Sequence, residues 1–145
     1  MMKVLFVCIH NSARSQMAEA FLNHLGNGNF IAESAGIEAG ILNPMVVKVM
    51  AEIGYDISQN QTKTVFDFFK EGRSYSAVVK VCDQVSGQRC PIFPKTLMTL
   101  NWDIEDPSAL EGTYEDKLET TRRIRDQIKA KVEDFISKFE DLVIN

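Results

Sequence analysis

The sequence is poor in the residues that build linkers, repeats and cross-links: it has 4 prolines, 8 glycines, 3 cysteines and 2 histidines in 145 residues. So few prolines and glycines exclude a fibrous or low-complexity chain. His10 and His24 are its only histidines, and no two cysteines stand in a C-x-x-C spacing, so the usual zinc-binding constellations are missing and no metal is expected on that ground. There is no basic surplus either. Lys and Arg number 16 against 20 Asp and Glu, a net charge of −4, which removes the electrostatic footprint of a nucleic-acid binder. The longest unbroken apolar run, Val4 to Ile9, falls far short of a membrane span, and the polar His10-Asn11-Ser12-Ala13-Arg14 follows where a signal peptide would stay apolar. The expected compartment is therefore the cytoplasm. Thiols are kept reduced there, so an odd number of cysteines reads as reactive or buried thiols and not as a permanent cross-link.

With 45% apolar and 25% charged residues, the composition is that of one globular domain, taken as residues 1–145 and expected to act as a monomer. A chain of this size buries about two-thirds of its unfolded surface and needs no metal or disulfide to hold a core. Strand-like and helix-like segments alternate from end to end, which predicts an α/β fold with a parallel sheet. Lys3 to Cys8 is apolar on both faces, as a central strand covered on each side would be. Ser15 to Leu25 has helical spacing and stops at Gly26. Phe30 to Gly36 reads as a strand, and Asn43-Pro44 as an N-cap opening a helix through Ile53 to Gly54. Val65 to Phe69 suggests a short helix, Ser76 to Cys82 a third strand and Thr96 to Trp102 a fourth. The last helix starts at about Thr113, with an apolar stripe of Leu118, Ile124, Ile128, Val132, Phe135, Phe139 and Leu142. Its cations, Arg122, Arg123, Arg125, Lys129 and Lys131, read as a solvated face. The sum is four strands with helices on both faces of the sheet.

The segment Cys8-Ile9-His10-Asn11-Ser12-Ala13-Arg14-Ser15 lies between a strand and a helix. A short loop there can turn the backbone amides of Ile9, His10, Asn11, Ser12, Ala13 and Arg14 inward, and the helix N-terminus adds positive potential at the same point. Arg14 can grip two oxygens of a tetrahedral anion with its planar fork. Cys8 would sit beneath that anion, and the same donors favour its nucleophilic thiolate. Ser15 is placed to donate a hydrogen bond to the sulfur. The blander alternative makes Cys8 a small apolar residue ending a buried strand and Arg14 a solvated helix residue. The strand–loop–helix context, with Ser15 following, favours the anion cradle.

The segment from Cys8 through Ser15-Gln16-Met17-Ala18-Glu19, with Ser34-Ala35-Gly36-Ile37, Asn43-Pro44 and Asn101-Trp102-Asp103-Ile104-Glu105-Asp106-Pro107, resembles the low-molecular-weight protein tyrosine phosphatase superfamily over nearly the whole chain. Within it, these motifs look like the thioredoxin-coupled arsenate reductase branch. The resemblance implies that Cys8 is the nucleophile, that Arg14 and the loop amides bind the oxyanion, and that Asp106 is the general acid. It also implies a potassium site in some members. Asn11, Glu19 and Ser34 match its ligand positions, while the aspartate expected there has no counterpart around Lys63-Thr64.

In a parallel sheet the strand C-termini share one edge, and ligands bind outside it. Cys8 and Cys82 end strands and Asp106 follows one, so all three are expected at a single mouth. Cys82 alone would pass for a buried strand cysteine. Cys90, eight residues on and beside Pro91, has no packing reason to be cysteine, and the loop between them could bring the two sulfurs together if it bends. To donate a proton at neutral pH, Asp106 must be held protonated by a neighbouring oxyanion and partial shielding from water.

The expected reaction is reduction of arsenate to arsenite through a Cys8–Cys82–Cys90 thiol relay, regenerated by thioredoxin at the Cys82–Cys90 disulfide, with no tightly bound cofactor. A phosphatase acting on phosphotyrosine or a small phosphoester would need Cys8, Arg14 and Asp106 but neither later cysteine. A weak phosphatase side activity is expected in either case. A non-enzymatic anion sensor is a third reading, against which Asp106 argues, since a sensor has no use for a general acid.

Overall fold

A computed structural model of the chain describes residues 1–81 and 93–144. Four parallel strands, β1 (Met2–Cys8), β2 (Phe30–Gly36), β3 (Ala77–Val81) and β4 (Met98–Trp102), form one sheet in the order β2-β1-β3-β4. The helices are α1 (Arg14–Leu25), α2 (Pro44–Ala51), α3 (Val65–Lys70) and α4 (Tyr114–Ile144). The expected α/β architecture is the observed one.

The unbroken apolar run of β1 is explained by its central position. Val4 and Phe6 face the larger core with Met17, Phe21, Leu22, Val46, Met50, Ile124, Ile128 and Val132 of α1, α2 and α4, while Leu5 and Val7 face a smaller one with Val65 and Phe68 of α3, Tyr75 and Phe93. Successive strand side chains point to opposite faces, so two covered faces demand apolar residues at every position. Phe6, Trp102 and Phe135 pack edge to tilted face across the larger core, with centroid separations of 5.6 and 6.4 Å.

Asn43 caps α2 as expected, its side-chain oxygen accepting from the amides of Met45 and Val46. The helix ends at Ala51, and a turn carries the chain to Gly54 at φ +88°, so Ile53 lies beyond it. Thr113 accepts from the Asp116 amide at the start of α4. Two expectations for α4 fail. Leu142 is 70% exposed, lining a surface cavity with Met2, Ser76 and Met98 rather than the core. Arg125 is buried and not solvated. Its guanidinium donates to the Val49 carbonyl in the last turn of α2 at 2.8 Å and meets Glu52, to which Arg122 also donates. Cations belong at a helix C-terminus, where carbonyls lack partners, and this pair locks α2 to α4.

All four strand ends meet on one edge. β1 pairs on one side with β2, where Cys8 is in register with Gly36, and on the other with β3, where Val7 is opposite Lys80. The chain order reverses direction between β1 and β3, the place where open α/β sheets leave a crevice.

Candidate active site

The loop from β1 into α1 is held by a second loop, which follows β2. The carbonyls of Cys8, Ile9, His10 and Ser12 accept from the amides of Ile37, Glu38, Gly40 and Asn43 at 2.8 to 3.1 Å. The Asn11 carbonyl accepts from Gln16 Nε2 at 3.1 Å and that of Ala13 from Met17 N within α1. In a trans peptide the N–H points opposite to the carbonyl before it, and every peptide bond here is trans. Each carbonyl from Cys8 to Ala13 thus has a partner, and each amide of residues 9–14 points away from the carbonyl before it. This packing requires glycine at two places. A Cβ on Gly36 would meet Asn11 N at 2.6 Å, and one on Gly40 would meet the His10 Cβ at 2.8 Å.

Cys8 ends β1, 4% exposed, with Sγ 2.8 Å from Ser15 Oγ. The serine is itself held by a neighbour. Asn11 Nδ2 donates to Ser15 Oγ at 2.8 Å, which leaves the serine one further lone pair and its own hydrogen, so either Ser15 or the thiol can be the donor between them. Asn11 itself is fully buried at φ +55°, a left-handed conformation that Asn tolerates better than most residues. Its orientation is fixed by the backbone amide of Lys63, which can only donate and does so to Oδ1 at 3.0 Å. Gln16 Nε2 donates to the same oxygen, leaving Nδ2 to face Ser15 and Ser34.

Arg14 is also buried. Its Nη1 donates to the Ile104 carbonyl at 2.8 Å, and Nη2 lies 3.8 Å from Asp106 Oδ2. Asp106 Oδ1 caps a 3-10 turn at Pro107–Ala109 by accepting from Ser108 N. The aspartate side chain stays 28% exposed, at the mouth. Thus Cys8 meets Ser15, and Arg14, next in sequence to Ser15, meets Asp106. His10 contributes backbone only, its half-exposed imidazole lying 3.5 Å from the Glu38 carboxylate. β3 leaves the sheet at Val81 on the same edge as Cys8. Cys82 and Cys90 lie outside the described residues.

Asn11, Glu19 and Ser34 do converge, but with the wrong polarity for potassium. A cation of that kind needs oxygen lone pairs turned toward it. Here Asn11 presents Nδ2 to Ser34, the Ser34 hydroxyl donates to the Glu19 carboxylate, and Lys63 Nζ stands 3.6 Å from Glu19 Oε1. Burial raises the Glu19 carboxyl above its ordinary range, opposed by the Lys63 charge and the Ser34 hydrogen bond. These residues do not fit potassium. No group of three or more His, Cys, Asp or Glu suited to a metal occurs among the described residues.

Sequence reasoning missed the supports. Gln16 is fully buried and donates to Asn11 and to the Gln61 carbonyl while accepting from Asn60. A polar residue beside the buried stripe of Met17, Ala18 and Phe21 was the available signal.

Residues 3–143 match the model of a family described as low molecular weight phosphotyrosine protein phosphatase. An arsenate reductase of Shouchella clausii is 36% identical over 91% of this chain and 93% of its own length. A glutaredoxin arsenate reductase of Synechocystis is 34% identical over 95% of this chain and 98% of its own. Among solved structures, an arsenate reductase in a phosphate-binding state superposes with a TM-score of 0.79 at 35% identity, covering 95% of this chain and 98% of that one. The thioredoxin-dependent arsenate reductase of Corynebacterium glutamicum gives 0.72 at 25% identity, covering 97% of this chain and 62% of the other. Among the described residues no helix is long and apolar enough to cross a membrane.

Proposed function

The chain belongs to the low molecular weight phosphotyrosine protein phosphatase family, and from that premise we propose that it reduces arsenate to arsenite, with Cys8 as nucleophile. The observation that carries this reading is the Cys8 sulfur at the end of β1, 2.8 Å from Ser15 Oγ, where the loop leads into α1 and the buried Arg14. Arsenate docks on the amides of residues 9–14 and on the Arg14 guanidinium, which the Ile104 carbonyl pre-orients. The Cys8 thiolate forms a bond to arsenic as an As–O bond breaks, and protonated Asp106 gives its proton to the departing oxygen, which leaves as water.

The next steps fall to Cys82 and Cys90. The Cys82 thiolate attacks Cys8 Sγ, and the S–As bond breaks with its electron pair staying on arsenic. Arsenic(V) becomes arsenic(III), arsenite departs, and a Cys8–Cys82 disulfide remains. Cys90 then attacks Cys82, freeing Cys8 and moving the disulfide to the Cys82–Cys90 pair, where a dithiol protein reduces it by exchange. We assign that role to thioredoxin, as in the Corynebacterium relative's name, and the function to arsenical detoxification in the cytoplasm. Weak hydrolysis of phosphoesters follows from the shared cradle, since phosphorus(V) does not accept the electron pair.

The test is arsenate-dependent NADPH oxidation by the purified protein, with thioredoxin and its reductase, or with glutaredoxin, glutathione and glutathione reductase. Turnover is expected in the first mixture. Turnover in the second alone would give the role to glutaredoxin, and none in either would overturn the reading.

A further inference from the structure

The residues matching a potassium site hold something else, and it is part of the chain. Lys63 is joined to the Cys8 loop's support in three ways. Its amide donates to Asn11 Oδ1 at 3.0 Å, its carbonyl accepts from Gly36 N at 2.8 Å, and its ammonium lies 3.6 Å from Glu19 Oε1. From Glu19 one hydrogen-bonded path runs back to the sulfur. The Ser34 hydroxyl donates to Glu19, Asn11 Nδ2 donates to both Ser34 and Ser15, and Ser15 Oγ is hydrogen-bonded to Cys8 Sγ.

A largely buried carboxylate in such a path needs a positive partner, since an uncompensated buried charge is costly. The Glu19 side chain is 19% exposed and that of Lys63 32%, so the ammonium reaches in from the rim while keeping some water. Its tether spans residues 60–64, already fixed by Asn60 and Gln61 on Gln16, by Thr62 on the Gly40 carbonyl, and by the bridge between Gly36 and Thr64. An ammonium delivered this way is present at unit concentration whatever the salt outside.

We propose that Lys63 is the resident counter-ion of the Glu19–Ser34–Asn11–Ser15 path, a positioning residue that leaves no place for a monovalent metal ion and makes the Cys8 loop independent of potassium. The inference concerns the support of the loop and holds whichever oxyanion the loop takes.

The test uses the whole chain and needs no arsenate. The thermal midpoint and the rate of Cys8 alkylation by iodoacetamide, followed by peptide mass spectrometry at one pH, are measured in potassium chloride and in tetramethylammonium chloride of equal ionic strength. Wild type should give the same values in both salts. Lys63→Gln should lower the midpoint by roughly 5 °C and slow alkylation of Cys8 several-fold, whereas Lys63→Arg should keep both near wild type. The double variant Lys63→Gln/Glu19→Gln, which removes both charges, should recover most of the midpoint and guards against a single variant that fails to fold. Saturable stabilisation of wild type by potassium, a Lys63→Gln protein indistinguishable from wild type, or a double variant no more stable than the single would each overturn the proposal.

Discussion

Replacing Asn11 by alanine should cost more stability than its size suggests. The side chain makes four hydrogen bonds, to Ser15, Ser34, Gln16 and the Lys63 amide, and the residue is fully buried. A net hydrogen bond contributes about 1 kcal/mol. Ser15, Ser34 and Gln16 each keep another partner, so the largest single penalty falls on the partly buried Lys63 amide. Alanine must also hold φ +55°, adding about 1 kcal/mol for a left-handed residue with a Cβ. The sum is about 3–5 kcal/mol, a large share of the 5–15 kcal/mol that holds a typical domain. In a thermal melt that is a fall of about 10–15 °C. Asn11→Gly should fall by about 1 kcal/mol less, because glycine relieves the backbone and loses the same hydrogen bonds. Urea unfolding of the three proteins separates the contributions. An alanine variant within 0.5 kcal/mol of wild type, a difference of ordinary surface size, would refute the view that Asn11 organises the loop.

Cys82→Ser and Cys90→Ser should each abolish thioredoxin-linked arsenate turnover and leave p-nitrophenyl phosphate hydrolysis nearly intact, checked by parallel steady-state assays; equal loss of both activities would count against the relay. Asp106→Asn keeps the cap on Ser108 but has no proton to give, so kcat should drop about 10²–10⁴-fold in a single-turnover assay, with oxyanion inhibition little changed. The Glu52 carboxyl is held below its ordinary value chiefly by the hydrogen bond from Arg122. A group lowered in the folded state contributes stability that is complete above its unfolded value of 4.5 and is lost as pH falls through the folded one. Glu52→Gln should therefore show a shallower loss of stability on acidification below 4.5, measured by urea melts at stepped pH.

Much of this was legible from residue order because local chemistry and tertiary context agree. The two-sided apolar run of β1 and the Asn43-Pro44 cap each carry their own signal and took the expected form, and the Cys8–Ser15 segment lies between a strand and a helix as its sequence implied. What escaped notice depends on contacts between distant segments. Gln16 and Asn11 are ordinary polar residues until Gln61 and Lys63 arrive from 45 and 52 positions away. Arg125 looked solvated because a helix pattern shows charge but not the Val49 carbonyl waiting across the interface. For potassium, Asn11, Glu19 and Ser34 matched and the aspartate was missing around Lys63-Thr64; what residue order could not show is that the Lys63 ammonium stands beside Glu19.

The central claim is that one sulfur opens the reaction and two others carry its electrons away. A single turnover of reduced protein with excess arsenate and no thioredoxin tests it, with arsenite counted and thiols mapped by peptide mass spectrometry. The account predicts one arsenite per chain, a Cys82–Cys90 disulfide, a Cys8 thiol still open to alkylation, and no arsenite from Cys8→Ser. Arsenite formed by Cys8→Ser, or formed by the native chain with all three thiols still reduced, would contradict it.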